Sequence, residues 1–329
     1  MPDHPMMTPD PVVCAAMDEQ VNARLIAAID YVMRDVLDQG GAPPGMVATP
    51  MLHALQALIR EAAVSGDTNR IAALLRANGP ALRGQGVPTR CHVVPWGAPD
   101  LPATDFALLQ SAFQDDIGLT ARLAPPTPAH LDRARANFAV LRACLPVHLA
   151  PWWQELEALV ALILLAEGDD KTARFGGATA FAAWGAILIN PANSATPLAL
   201  ALTLVHESSH LKLFHAYLED EIVLNDPEAR FTSPLRREGR PMNGIYHATY
   251  VLARMLAFLS DLDGSKPALA ALGPGAAEQV RADLDHLRAG FDAGRDVIRA
   301  HGVLTAKGQR IMDEASSTVE RCFAANAAE

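Results

Sequence analysis

Residues 202–215, LTLVHESSHLKLFH, carry two histidines four positions apart, His206 and His210, with Glu207 directly after the first. On a helix of 3.6 residues per turn both imidazoles project from one face on successive turns, the spacing that a single metal ion requires of two ring nitrogens. Glu207 lies about 100° around the helix from His206, so its carboxylate is better placed to approach a metal-bound water than to ligate beside both histidines. Two chemistries suit such a site. Zinc with Glu207 as general base would hydrolyse a bond, whereas iron with open coordination positions would oxidise one.

The surroundings favour a metal. The preceding LALALTLV is apolar on every side, so the histidines emerge from a buried helix. Buried imidazoles and carboxylates are costly unless paired or ligated. A third ligand is then required. His215 points roughly 140° away from His210, and Glu219, Asp220 and Glu221 read as a solvated helix end. His247, in RPMNGIYHATYVLARM, remains, either as that ligand or as a histidine packed in a core.

Between the two helices, SPLRREGRPMNG places Arg236, Arg237 and Arg240 among prolines and glycines. Arginine recognises carboxylates through a bidentate fork. The alternative is a basic surface loop pairing weakly with the acidic helix end before it.

LVHESSHLKL followed by FTSPLRREGRPMNGIYHATYVLARM, with WGAILINP ahead of it, resembles the HExxH-motif proteins associated with ribosomally made, post-translationally modified peptides. The resemblance covers about residues 150–260. It implies an iron(II)- and 2-oxoglutarate-dependent peptide β-hydroxylase, with a precursor peptide as substrate and partner. Carried over by position, it implies His206, His210 and His247 as iron ligands, and Arg236 and Arg240, with Ser233 beside them, as the holders of 2-oxoglutarate. Under this reading Glu207 orients a ligand or water. The chain departs from the family pattern at Leu235, where tryptophan is usual, and at Glu238-Gly239, where Asp-Pro is usual. A zinc metallopeptidase is the alternative, although Leu213 stands where the extended metallopeptidase motif has glycine. A binding protein that recognises a leader peptide through a degenerate site is a third reading, and the intact His206, Glu207 and His210 speak against it.

These residues need a scaffold. Thr196-Pro197 is a helix start, with threonine as cap and proline at the first helical position. Amphipathic spacing predicts helices over 18–38 and 51–77, a further helical block over 107–168, and helices again from 247. Strand-like texture is confined to 89–105 and 176–191. The expectation is a mainly α protein with a small β-sheet (α+β), the HExxH helix packed beside that short sheet. Residues 1–150 would form a mostly helical, peptide-binding region, and 151–329 the catalytic region.

Composition narrows the partners. With Lys+Arg at 27 and Asp+Glu at 37, the net charge is −10, and no long block of Lys and Arg offsets it, which argues against nucleic acid. Cys14, Cys91, Cys144 and Cys322 are far apart and form no CxxC pair, as expected of reduced thiols. The acidic, proline-rich N-terminus does not read as a signal peptide, and no apolar run is long enough to span a bilayer. A soluble, cytoplasmic protein is expected.

Overall fold

The computed structural model describes residues 4–82, 90–117, 122–168, 175–232 and 239–326. The first half builds helices α1 (Pro11–Tyr31), α2 (Pro50–Val64), α3 (Thr68–Ala77) and α4 (Gly79–Leu82), strand β1 (His92–Pro95), helix α5 (Ala103–Ile117), strand β2 (Leu123–Ala124), and helices α6 (Pro128–His148) and α7 (Ala150–Leu159). Strands β3 (Leu162–Leu165), β4 (Glu167–Gly168), β5 (Gly177–Ala178) and β6 (Ala186–Ile189) follow. The chain ends in helices α8 (Pro197–Tyr217), α9 (Met242–Asp263), α10 (Lys266–Leu272), α11 (Ala276–His301) and α12 (Ala306–Asn326). The protein is mainly α with a small sheet, as its sequence texture predicts. Among the described residues no helix is long and apolar enough to cross a membrane.

Two compact units divide the chain. One comprises Met1–Val13, Asn137–Glu155 and Thr196–Glu329, and the other Cys14–Ala136 and Leu156–Ala195. The division is interleaved and does not fall at a single point near residue 150.

The second unit holds the sheet, in the order β1-β3-β6-β5, with β1, β3 and β6 parallel and β5 antiparallel. Val93 pairs with Ile163, which pairs in turn with Ile187. Every residue of β3 and β6 is buried, as befits central parallel strands covered on both faces. The helical block read over 107–168 is therefore corrected at its end. LILL is a strand, and a short apolar run without alternation looks the same in a buried helix as in a central strand. The helix expected over 51–77 is likewise two helices. Gly66 takes a positive φ of 69° and Asp67 caps α3 by accepting from Arg70 N, a break that the apolar periodicity of the flanking turns conceals.

The first unit is helical. α9 is buried nearly all round and packs against α8, α10, α11 and α12, so it is the core helix of this unit. Tyr246, Tyr250, Leu256 and Phe258 are fully enclosed, each contributing on the order of 1.5–3 kcal/mol by leaving water. α11 approaches α9 through Gly294, where an added methyl would overlap Thr249 Oγ1. α8 carries His206 and His210, and α9 carries His247.

Candidate metal centre

The helix start expected at 196–197 is the one observed. Thr196 is extended, its side chain accepts from Ala199 N at 3.1 Å, and Pro197 occupies the first turn of α8. Leu198, Leu200, Ala201, Leu204 and Val205 are buried, and this apolar lead-in fixes the rotation of the helix. Four positions apart on that helix, His206 and His210 share a face, with Nε2 of one 3.3 Å from Nε2 of the other.

That separation fits a shared ion. Two metal–nitrogen bonds of about 2.1 Å, meeting at an angle of about 90–110°, place their nitrogens about 3.0–3.4 Å apart. In the absence of an ion, one neutral ring can donate its Nε2–H to the other at the same distance. Glu207 is buried, and its Oε1 lies 4.0 Å from His206 Nε2. This places the carboxylate beside the pair, where the helical geometry puts it.

His247 is the third ring of the cluster. Its centroid is 5.9 Å from that of His210, with 27° between the ring planes. Its Nε2 is fully enclosed and has no hydrogen-bond partner among the described residues, at a cost of about 1–3 kcal/mol unless something satisfies it. The three rings are neighbours rather than a closed coordination shell. Among the described residues no three His, Cys, Asp or Glu side chains are gathered closely enough to hold an ion as they stand. His215 is buried on another face of α8, as its spacing predicts.

The electrostatics keep all three imidazoles neutral. Burial holds His206 and His247 down to about 4. His210 lies well below the usual 6.5 through burial first and then through its two histidine neighbours. An unprotonated ring nitrogen is the ligating form. His206 nonetheless keeps 41 % of its side chain open to solvent, so the pair is reachable from outside.

Sequence reasoning missed the rings that pack on His247. Phe214 lies 5.8 Å away and Tyr217 5.2 Å, centroid to centroid. Tyr217 Oη donates to Asn243 Oδ1. The signal was present in the spacing, since Phe214 and Tyr217 are four and seven positions past His210 and Asn243 is four before His247.

Of the arginine loop, Arg240 is described. Its N–H donates to Phe231 O and Phe231 N–H donates to its carbonyl, both at 2.9 Å, a two-residue bridge that ends just before α9. Ser233, Arg236 and Arg237 lie outside the described residues.

Sequence reasoning also missed a buried charge network in the same unit. Glu155 accepts from Lys212 Nζ at 2.8 Å, from Arg254 Nη2 and from Asp10 N–H at 2.9 Å. Lys212 also donates to Thr8 O at 2.9 Å, while Arg254 donates to Met7 O at 3.1 Å and to Ser209 Oγ at 3.2 Å. α8, α9 and the N-terminal segment are thereby joined through one carboxylate. A lysine and an arginine inside otherwise apolar helices were the available clue.

No family model matches the chain, and no curated protein matches it either.

Proposed function

We propose that the protein is an iron(II)- and 2-oxoglutarate-dependent oxygenase that hydroxylates a side chain, at the β-carbon, of a ribosomally made precursor peptide in the cytoplasm. The observation that carries the metal is the 3.3 Å approach of two neutral imidazoles on α8. The resemblance of residues 150–260 to the HExxH peptide-modification proteins carries the choice of iron over zinc.

In this reading His206 and His210 would hold the ion, and His247, whose Nε2 has no hydrogen-bond partner among the described residues, would be the third ligand. When bound, iron(II) with 2-oxoglutarate supplies the oxidising power: dioxygen and the co-substrate give succinate and carbon dioxide, and a C–H bond of the peptide becomes C–OH. Arg240, anchored by its bridge to Phe231 immediately before α9, receives the distal carboxylate of 2-oxoglutarate. Arg236 and Ser233 share that task. Glu207 orients the ligand set or a water from 4.0 Å. The solvent-open side of His206 admits the peptide side chain, and the helical region within residues 1–150 recognises the rest of the precursor.

A zinc metallopeptidase is the second reading. It is favoured by the position of Glu207, which is also where a general base would stand. One experiment separates the two. Purified protein is loaded anaerobically with Fe(II) and exposed to 2-oxoglutarate, dioxygen and candidate precursor peptides. Succinate formed in step with a peptide mass gain of one oxygen atom, absent in His206→Ala, is the expected result. Zinc-dependent cleavage, with no succinate above that of the His206→Ala control, overturns the oxygenase.

A further inference from the structure

We propose that Tyr217 is a positioning residue for His247: its ring, anchored through its hydroxyl to Asn243, sets the orientation from which His247 reaches an ion held by His206 and His210. The inference rests on the metal-centre reading and assigns a task within it that neither the motif nor the resemblance supplies.

Tyr217 is the last residue of α8, and Asn243 lies in the first turn of α9. Their hydrogen bond therefore ties the end of one ligand-bearing helix to the start of the other. The described part of the chain between them carries the Phe231–Arg240 bridge just before α9, and the Tyr217–Asn243 hydrogen bond joins the two helices directly. It adds a side-chain tie at this end to the packing of α8 on α9. The same tyrosine lies against the third imidazole, 5.2 Å from the His247 centroid with 36° between planes. Phe214 and His210 border the same ring. His247 is thus held among α8 rings while its own Nε2 remains without a partner among the described residues. A ring so bordered has few orientations open to it, and Tyr217 is the neighbour whose own position is pinned by a hydrogen bond to α9.

The test uses the full chain loaded with Co(II) alone. Affinity is measured by titration, and ligand number by counting the Co(II)-shifted imidazole N–H signals in the proton spectrum. Wild type should show three signals. Tyr217→Leu removes the ring and should show two, with affinity weaker by about 10- to 100-fold. Tyr217→Phe, which keeps the ring but loses its hydrogen bond to Asn243, should, like Asn243→Ala, diminish the third signal with a smaller loss of affinity than Tyr217→Leu. Asn243→Ala leaves the ring intact but frees it, and decides the matter if Tyr217→Leu does not fold; it should weaken binding and diminish the third signal. Three undiminished signals and wild-type affinity in Tyr217→Leu, or in Asn243→Ala, overturn the role of Tyr217 while the metal centre stands. The same holds if these variants only lower the melting temperature of the metal-free protein. Two signals in wild type remove His247 as a ligand and overturn the inference. Absence of Co(II) binding by wild type overturns the metal centre itself, and the inference with it.

Discussion

Lys212 Nζ lies 2.8 Å from Glu155 Oε2, and both side chains are buried. Arg254, also buried, meets the other carboxylate oxygen, so two cations share one anion, and the carbonyls of Met6, Met7 and Thr8 accept further N–H groups from them. The guanidinium also lies over the Trp152 ring, 4.8 Å from its centroid. Burying three charges is tolerable only because each is compensated at hydrogen-bonding distance.

Removing the anion should therefore cost more than a surface pair does. Glu155→Gln keeps the shape but leaves two buried cations without a counter-charge, and a loss of about 3–5 kcal/mol is expected in urea unfolding. A change below about 1 kcal/mol would show that the network is dispensable.

Acid should reach the same network. Burial acts to raise Glu155, but Arg254, Lys212 and the Asp10 N–H outweigh it and hold the carboxyl at about 2 rather than 4.5. A carboxyl depressed on folding contributes its stability above the unfolded value, and that stability is lost as pH falls through the folded one. The Glu155 contribution is thus complete above about pH 5 and declines between about pH 4.5 and 2. His206 and His247, held by burial at about 4 against 6.5, resist protonation in the folded chain. Their effect appears at higher pH, because the unfolded chain gains protons first and stability falls from about pH 6.5 towards 4. Unfolding free energies measured across pH 8 to about 2 should fall in these two stages, the second one weaker in Glu155→Gln. A flat profile from about pH 6.5 to 4 would contradict the lowered titration of His206 and His247.

Gly294 sets how closely α11 approaches the helix that bears His247. An added methyl would overlap Thr249 Oγ1, which is held by its bond to Ile245 O at 2.8 Å. Gly294→Ala gains about 1 kcal/mol of helix propensity yet should still destabilise by about 1–2 kcal/mol through the clash. Adding Thr249→Ala should recover most of that loss in thermal unfolding, and no recovery would place the cost elsewhere.

How much of this was legible beforehand depended on whether the signal was local. The cap at Thr196, the shared face of His206 and His210, and the separate direction of Glu207 follow from helix geometry alone, and all are found. β3 was not legible, because LILL lacks the alternation that marks a strand exposed on one side. Nor was the Glu155 network, since its partners at 8, 10, 212 and 254 meet only after folding. The packing of Tyr217 on His247 was half legible. The spacing puts Tyr217 on the histidine face of α8, but the partner helix that brings His247 to it is set by the tertiary fold.

Glu207 distinguishes the two chemistries by what its loss spares. Glu207→Gln keeps the size of the side chain and should leave an ion bound, with affinity lowered by no more than about 10- to 100-fold and succinate still formed. For a peptidase the same change removes the general base, and cleavage should fall by about 10²- to 10⁴-fold. Loss of all turnover with unchanged metal affinity would favour the peptidase.

The most direct test of the metal centre is an anaerobic titration of the purified chain with Fe(II), beside His206→Ala and His210→Ala. One tightly bound ion per wild-type chain, with binding abolished in both variants and unfolding otherwise unchanged, is the predicted result. Binding of the ion by either variant with wild-type affinity, or no binding by wild type, would contradict the assignment of His206 and His210 as its ligands.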